Sequence, residues 1–166
     1  AGQWLYLRNL EGMIPNSVGF ADFDDNLRQA FRQETEMFFD SILREDRSVR
    51  TFIKSDYTFL NERLAKHYGI PNVLGSRFQK VALTDPNRFG IIGKGGILTM
   101  TALANRTSPV ARGKYILEVL IGNPPPTPPP NVPKLKEAGD NEKVLTVRER
   151  MEQHRANPTC NACHQI

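Results

Sequence analysis

Apolar side chains recur every three or four residues between residues 26 and 44. Four large ones share one helical face: Leu27, Phe31, Phe38 and Ile42. This periodicity predicts a long amphipathic helix whose apolar face packs into a core. Asp24 or Asp25 precedes the stretch, and either carboxylate is suited to cap the first helical turn.

Shorter helices are predicted by similar periodicity together with start and stop signals. Ser55 and Asp56 are suited to cap a helix over residues 57–68, which Gly69 would end. Ser108 followed by Pro109 is a helix start before residues 110–121, and Gly122 would end that helix. Three further helical segments are expected, within residues 1–11, over residues 48–54 and over residues 97–104.

One short strand is predicted, because residues 78–83 alternate apolar and polar side chains. Four glycines follow within seven residues, at positions 90, 93, 95 and 96. They predict close packing or turns rather than a phosphate-binding loop, because the Gly-Lys-Ser/Thr ending of such a loop is absent. The pattern therefore predicts a mainly α fold, an irregular helical domain with little strand.

Seven of the twelve prolines lie between Pro124 and Pro133. A run this dense favours polyproline II, which serves as a ligand for SH3-like domains or, as we expect here, as a strap across the domain surface. Thr146 and Glu149 then have capping-box spacing and start a final helix over residues 147–155. The expected division is a helical domain at 1–122, a proline-rich strap and loop at 123–143, and a C-terminal segment at 144–166.

Composition narrows the possible partners. The 166 residues are 39% hydrophobic and 24% charged, with a net charge of +4, values that are ordinary for a globular domain. Basic residues are interleaved with acidic ones, so nucleic-acid binding is not expected. No apolar run approaches the length of a membrane span.

The strongest chemical signal is Cys160-Asn161-Ala162-Cys163-His164, near the end of the chain. C-x-x-C-H is the attachment signature of c-type haem, in which the two cysteines anchor the ring and the histidine ligates the iron. A redox dithiol, a disulfide or half of a zinc site are the alternatives. A zinc site needs about four ligands, and the chain has no third cysteine. We therefore expect residues 144–166 to be a capping helix plus a haem c-binding segment.

A six-coordinate haem needs a second axial ligand, normally histidine or methionine. His154 and Met151 lie on one face of the final helix, and about six residues separate His154 from Cys160, a span of up to ~20 Å when extended. His154 is the first candidate, and Arg155 is a candidate donor to a propionate. The other ligand candidates are Met151, Met100, His67, Met37, Met13 or a residue outside this chain, and the other propionate candidates are Arg106, Arg112, Arg148 and Arg150.

Several long motifs resemble one family. They are the runs at residues 4–10, 56–64 and 105–113, the proline run, and the closing run from Arg148 to His164. Together they are similar to uncharacterised cytochrome-associated domains in large exported proteins of planctomycetes, acidobacteria and related bacteria. The resemblance implies a multidomain protein and places its haem motif on Cys160, Cys163 and His164, but it supplies no established activity. Family members continue past this motif with an Asp-Pro segment, so we expect the chain to be a fragment.

The leading hypothesis is therefore a c-type cytochrome fragment or subunit that acts in electron transfer. A redox partner protein or a neighbouring haem domain would exchange electrons with it. Haem attachment to C-x-x-C-H takes place outside the cytoplasm, so a periplasmic or extracellular location is expected. The alternatives are a haem-dependent enzyme module and a structural or interaction domain of a larger extracytoplasmic assembly.

Overall fold

The longest helix of the computed structural model, α1 (Asp25–Arg44), confirms the periodicity that predicted it. The Asp24 carboxylate accepts a hydrogen bond from the Leu27 amide at 2.7 Å and caps the first turn. The structure describes residues 1–127 and 145–156. Residues Ala1–Pro125 form one compact unit, and the chain from Pro126 onwards belongs to a second.

The segment from Tyr57 to Tyr68 corrects the sequence-based expectation of one continuous helix. Its first four residues form strand β1 (Tyr57–Leu60), and helix α3 (Glu62–Tyr68) begins only after Asn61. Asn61 Oδ1 accepts from the Leu64 amide at 3.0 Å, so Asn61 is the helix cap. The helical spacing in the sequence was ambiguous, because Tyr-Thr-Phe-Leu suits a strand once a partner strand is present.

That partner is strand β2 (Gln79–Ala82), which lies within the predicted 78–83 strand. The two strands are antiparallel, with Tyr57 opposite Ala82 and Leu60 opposite Gln79. Between α1 and β1 lies the short helix α2 (Thr51–Lys54), inside the predicted 48–54 segment. A 3₁₀ turn at Pro86–Arg88 follows β2.

The later helices match the prediction in position and differ in extent. Helix α4 (Gly95–Met100) begins two residues early and ends four early, because Leu103 N–H bonds to Arg106 O in a tight hairpin. Helix α5 (Pro109–Tyr115) is capped by Ser108 and continues as a π-helical turn over Ile116–Ile121. Gly122 ends that turn with φ 73°, as its position in the sequence predicted.

The N-terminal segment forms a 3₁₀ helix at Leu7–Gly12 rather than an α-helix. Two long-range hydrogen bonds attach this segment to the last part of the unit. Trp4 Nε1 donates to Val119 O at 2.8 Å, and Tyr115 Oη donates to Leu5 O at 3.0 Å. The N-terminal residues therefore close one side of the core.

Two apolar clusters make up that core, and α1 contributes to both. Phe38 and Ile42 of α1 lie in the first cluster, with Leu5, Leu7, Leu10, Tyr57, Ile91, Ile97 and Val119. Leu27, Ala30 and Phe31 lie in the second, with Leu60, Leu64, Ala65 and Val73. The apolar face predicted for the long helix thus packs against both clusters of the core.

Helix α6 (Val147–Ala156) lies in the part of the chain that follows Pro126. Its predicted capping box is present: the Glu149 amide donates to Thr146 Oγ1 at 3.3 Å, and the Thr146 amide donates to Glu149 Oε2 at 2.6 Å. Residues 123–127 are exposed, whereas the rest of the predicted proline strap lies outside the described residues. The three-part division of the chain stays a prediction.

The described chain is about half helical with one two-stranded sheet, which agrees with a mainly α fold. The haem attachment segment that completed the predicted fold class lies outside the described residues. Among the residues that are described, no helix is long and apolar enough to cross a membrane.

The predicted close-packing glycines occupy positions where a side chain has no room. Gly90 has φ +62°, and a Cβ there would overlap the Ile53 carbonyl. A Cβ on Gly95 would overlap the Phe31 ring. These contacts allow the segment before α4 to approach α1 and α2 closely.

We expect Gly90→Ala to lower the free energy of unfolding by at least about 2 kcal/mol, through backbone overlap and an unfavourable φ. Gly113→Ala is the matched control, because nothing lies within 4 Å of its Cβ position in α5. Alanine there should be neutral or stabilise by about 0.5–1 kcal/mol. Urea unfolding of the two variants measures the difference, and equal losses would contradict the packing argument.

Candidate functional site

Cys160, Cys163 and His164 lie outside the described residues, so their placement stays a prediction. The structure does describe the three site candidates on α6. Met151 and His154 are half-buried and Arg155 is exposed. Met151 and His154 are three residues apart and therefore lie on the same side of the helix. Within residues 1–127 and 145–156, no group of three or more His, Cys, Asp or Glu residues could hold a metal ion.

The donor set of this region fits a c-type haem chemically. Two thiols and an adjacent imidazole are the groups that attachment and proximal ligation require. The half-buried imidazole and thioether on α6 are the two side-chain types that serve as the opposite axial ligand. A capped helix holds both side chains one turn apart.

His67, another candidate ligand, has a different environment. Its Nδ1 lies 3.0 Å from Asp22 Oδ2, and its ring contacts the Phe31 ring at 5.4 Å between centroids. Hydrogen bonds from His67 and Arg63 hold the pKa of Asp22 below its ordinary value. At the end of α3, His67 is thus paired with Asp22, and its role as a ligand stays a prediction.

Most of the remaining candidates lie in the first unit, whereas Arg148 and Arg150 lie on α6. Met100 packs against the first apolar cluster, and Met13 and Met37 are half-buried. Arg112 Nε donates to Thr101 Oγ1 at 3.4 Å. Arg112 is thus bonded to the residue that follows Met100 in the chain, and a ligand role for these methionines stays a prediction.

Sequence reasoning missed a polar network inside the first unit. Glu34 of α1, a charged residue, is only 1% exposed. Thr58 Oγ1 donates to Glu34 Oε1 at 2.5 Å, and Tyr68 Oη donates to Oε2 at 2.7 Å. The Gly95 amide donates in turn to Tyr68 Oη at 2.8 Å. The carboxylate of α1 is thus bonded to β1 and α3, and through Tyr68 to α4.

A buried lysine accompanies this carboxylate. Lys94, at the N-terminus of α4, is 1% exposed, and its Nζ donates to Tyr57 O at 3.1 Å. The same Nζ lies 4.3 Å from the centroid of the Phe38 ring. Arg88 lies over the Tyr68 ring at 4.5 Å. Lys94 therefore supplies a positive charge that acts on the buried carboxylate, whereas Arg88 contacts the Tyr68 ring.

Burial governs the protonation of these groups. It raises the pKa of Glu34 above its ordinary value of 4.5, while the Lys94 charge and the two hydroxyl donors oppose the rise. Burial lowers the pKa of Lys94 to about 8, against the attraction of Glu34. Burial and the Glu34 charge raise the pKa of Tyr68 well above 10, so its hydroxyl remains a donor.

A signal for Glu34 was present in the sequence. Glu34 lies three residues after Phe31 and four before Phe38, inside the apolar stripe of α1. A charged residue at such a position must find buried partners. Lys94, between Gly93 and Gly95 in the close-packed segment, is the corresponding signal for the cation.

Two family models match the chain. PSD4, described as "Protein of unknown function (DUF1592)", matches residues 1–70, and PSCyt3, described as "Protein of unknown function (DUF1588)", matches residues 88–166. The name PSCyt3 suggests a cytochrome-associated domain, in partial agreement with the resemblance found in the sequence, and neither description assigns an activity. No curated protein and no solved structure matches the chain.

We expect Lys94→Met alone to lower the free energy of unfolding by about 1–3 kcal/mol at pH values where Glu34 is ionised, because it removes the positive charge that favours the buried carboxylate. The Glu34→Gln/Lys94→Met double variant should lose less than the sum of the single variants, since neither buried charge remains. Urea unfolding of the four proteins measures this coupling. Additive losses would show that the two residues act independently.

Proposed function

We propose that this chain carries one covalent c-type haem and transfers electrons between that haem and a redox partner protein or a neighbouring haem domain. The observation that carries the proposal is the Cys160–His164 motif, which lies within the stretch matched by the PSCyt3 model. The capped helix α6, with His154 and Met151 on one side, adds support because it precedes the motif directly.

The roles of the residues follow from their chemistry. Cys160 and Cys163 would each hold the haem through a thioether, formed by addition of the thiol across a vinyl group with the thiol proton going to the neighbouring vinyl carbon, so no oxidant would be needed. His164 would ligate the iron, and Arg155 would donate to a propionate. The bound haem supplies a one-electron couple.

A location outside the cytoplasm, periplasmic or extracellular, is part of this proposal, because attachment to C-x-x-C-H takes place there. The charge distribution is consistent with a protein partner rather than nucleic acid, since acids and bases are interleaved along the chain.

Covalent attachment is tested by producing the chain with an export signal in a bacterial host that matures c-type cytochromes. We expect a c-type pyridine haemochrome spectrum that stays with the polypeptide after acid-acetone extraction. Cys160→Ala/Cys163→Ala should abolish this haem, whereas Asn161→Ala, inside the same motif, should retain it. Absence of covalent haem in the wild type would refute the proposal, and zinc analysis with thiol titration would follow.

The axial ligand is tested by absorption and electron paramagnetic resonance spectra of the oxidised protein. We expect a low-spin bis-histidine signal that becomes high-spin in His154→Ala, because that change removes the sixth ligand. Met151→Leu, one helical turn away, should leave the spectrum unchanged. A charge-transfer band typical of methionine ligation, lost in Met151→Leu, would assign Met151 instead. A high-spin wild type would favour the haem-enzyme alternative.

A further inference from the structure

The polar network around Glu34 helps to hold the N-terminus of α4 in the first unit, together with Ile91 and Ile97, which are buried in the first apolar cluster. The Gly95 amide bonds to Tyr68 of α3, and Lys94 Nζ bonds to Tyr57 O of β1. Two backbone hydrogen bonds hold the preceding loop, Gly90 N to Ser55 O at 3.0 Å and Ile91 N to Phe52 O at 2.6 Å. The whole segment therefore docks onto α1, α3 and the turn that joins α2 to β1.

The docked arrangement encloses the Glu34 carboxyl completely. Glu34 and Lys94 are each 1% exposed, and no ion pair within 4.0 Å joins them among the described residues. A carboxylate enclosed in this way loses its hydration. A cation that makes no direct ion pair with it compensates for this loss only in part. Undocking of residues 90–96 would restore water to the carboxyl and remove that penalty.

The groups that face Glu34 come from three other elements of the unit. Thr58 of β1 and Tyr68 of α3 donate hydrogen bonds, Lys94 of α4 supplies a positive charge, and Arg88 lies beyond the Tyr68 ring. The neighbouring His67 is directed to Asp22 at the surface instead. Glu34 is therefore the acid whose protonation the docking affects.

We propose that Glu34 is a proton-coupled latch: docking of the Gly90–Gly96 segment onto α1 and α3 takes up a proton at this carboxyl and is tightest in mild acid. The sign follows from linkage. Because the pKa of Glu34 is raised in the docked state, proton uptake stabilises docking fully below pH 4.5. This stabilisation is lost as the pH rises through the raised pKa. Lys94 has the opposite effect on docking, at higher pH. Its pKa is lowered from 10.5 to about 8 in the docked state, so docking releases a proton from Lys94 in that range.

Hydrogen exchange of the full-length chain between pH 5 and 7 tests this latch. Dividing the rate at the Gly95 amide by its intrinsic rate at each pH gives the equilibrium constant for opening. In the wild type we expect this constant to rise with pH above 4.5, by at most about tenfold per pH unit, and to level off above the raised pKa of Glu34, since one proton is released on opening. The Arg112 amide in α5, bonded to Ser108 O, should show no such rise.

Two carboxyls of the same helix provide the matched pair of variants. Glu34→Gln should abolish the pH dependence at Gly95. Glu36→Gln should preserve it, because Glu36 pairs at the surface with Arg32 at 2.9 Å. A flat wild-type profile, a rise that persists in Glu34→Gln, or a rise lost in Glu36→Gln would each overturn the latch.

Lys94→Met adds an independent check, because it removes the charge that lowers the pKa of Glu34. We expect the rise to extend to higher pH in this variant. If Lys94→Met does not fold, Tyr68→Phe removes one donor to the carboxylate and should shift the profile in the same direction by less. An unchanged profile in the variant that folds would contradict the latch. The measurement does not involve haem, so its outcome is separate from that of the proposed function.

Discussion

The buried carboxyl of Glu34 is the constraint on which much of the first unit depends. A carboxyl in a protein interior is tolerated only where hydrogen-bond donors and a compensating charge meet it. Here those donors come from three other parts of the chain: Thr58 on β1, Tyr68 on α3, and Gly95 on α4 acting through Tyr68. Their convergence orients three elements on α1 in a way that non-directional apolar burial would not.

Close backbone packing accompanies this polar centre. Gly90 and Gly95 bring the segment before α4 against α2 and the Phe31 ring, at distances that a Cβ would prevent. Lys94 lies between Gly93 and Gly95, so the backbone that carries the buried cation is also the backbone that approaches α1. The glycines therefore let the backbone approach the core closely, and this approach places the Lys94 side chain in the interior.

The proposed electron-transfer chemistry belongs to another part of the chain. The motif from Cys160 to His164 is local, with all attachment groups within five residues, and its chemistry depends on spacing rather than on a distant fold contact. Helix α6 precedes it with a complete capping box. In the first unit, by contrast, the polar groups of the Glu34 network come from α1, β1, α3 and the N-terminus of α4.

The sequence by itself determined the local features: the long helix α1 and its Asp24 cap, the Ser108 and Gly122 ends, the β2 strand and the capping box of α6. Each depends on neighbours within a few residues. Only the tertiary structure decided that Tyr57–Leu60 is a strand, because its partner lies about twenty residues further on. Likewise, the apolar stripe of α1 contained Glu34, but sequence spacing could not predict that Glu34 contacts Thr58 and Tyr68 or that Lys94 supplies the compensating charge. Burial and long-range pairing are properties of the folded chain, and local periodicity does not encode them.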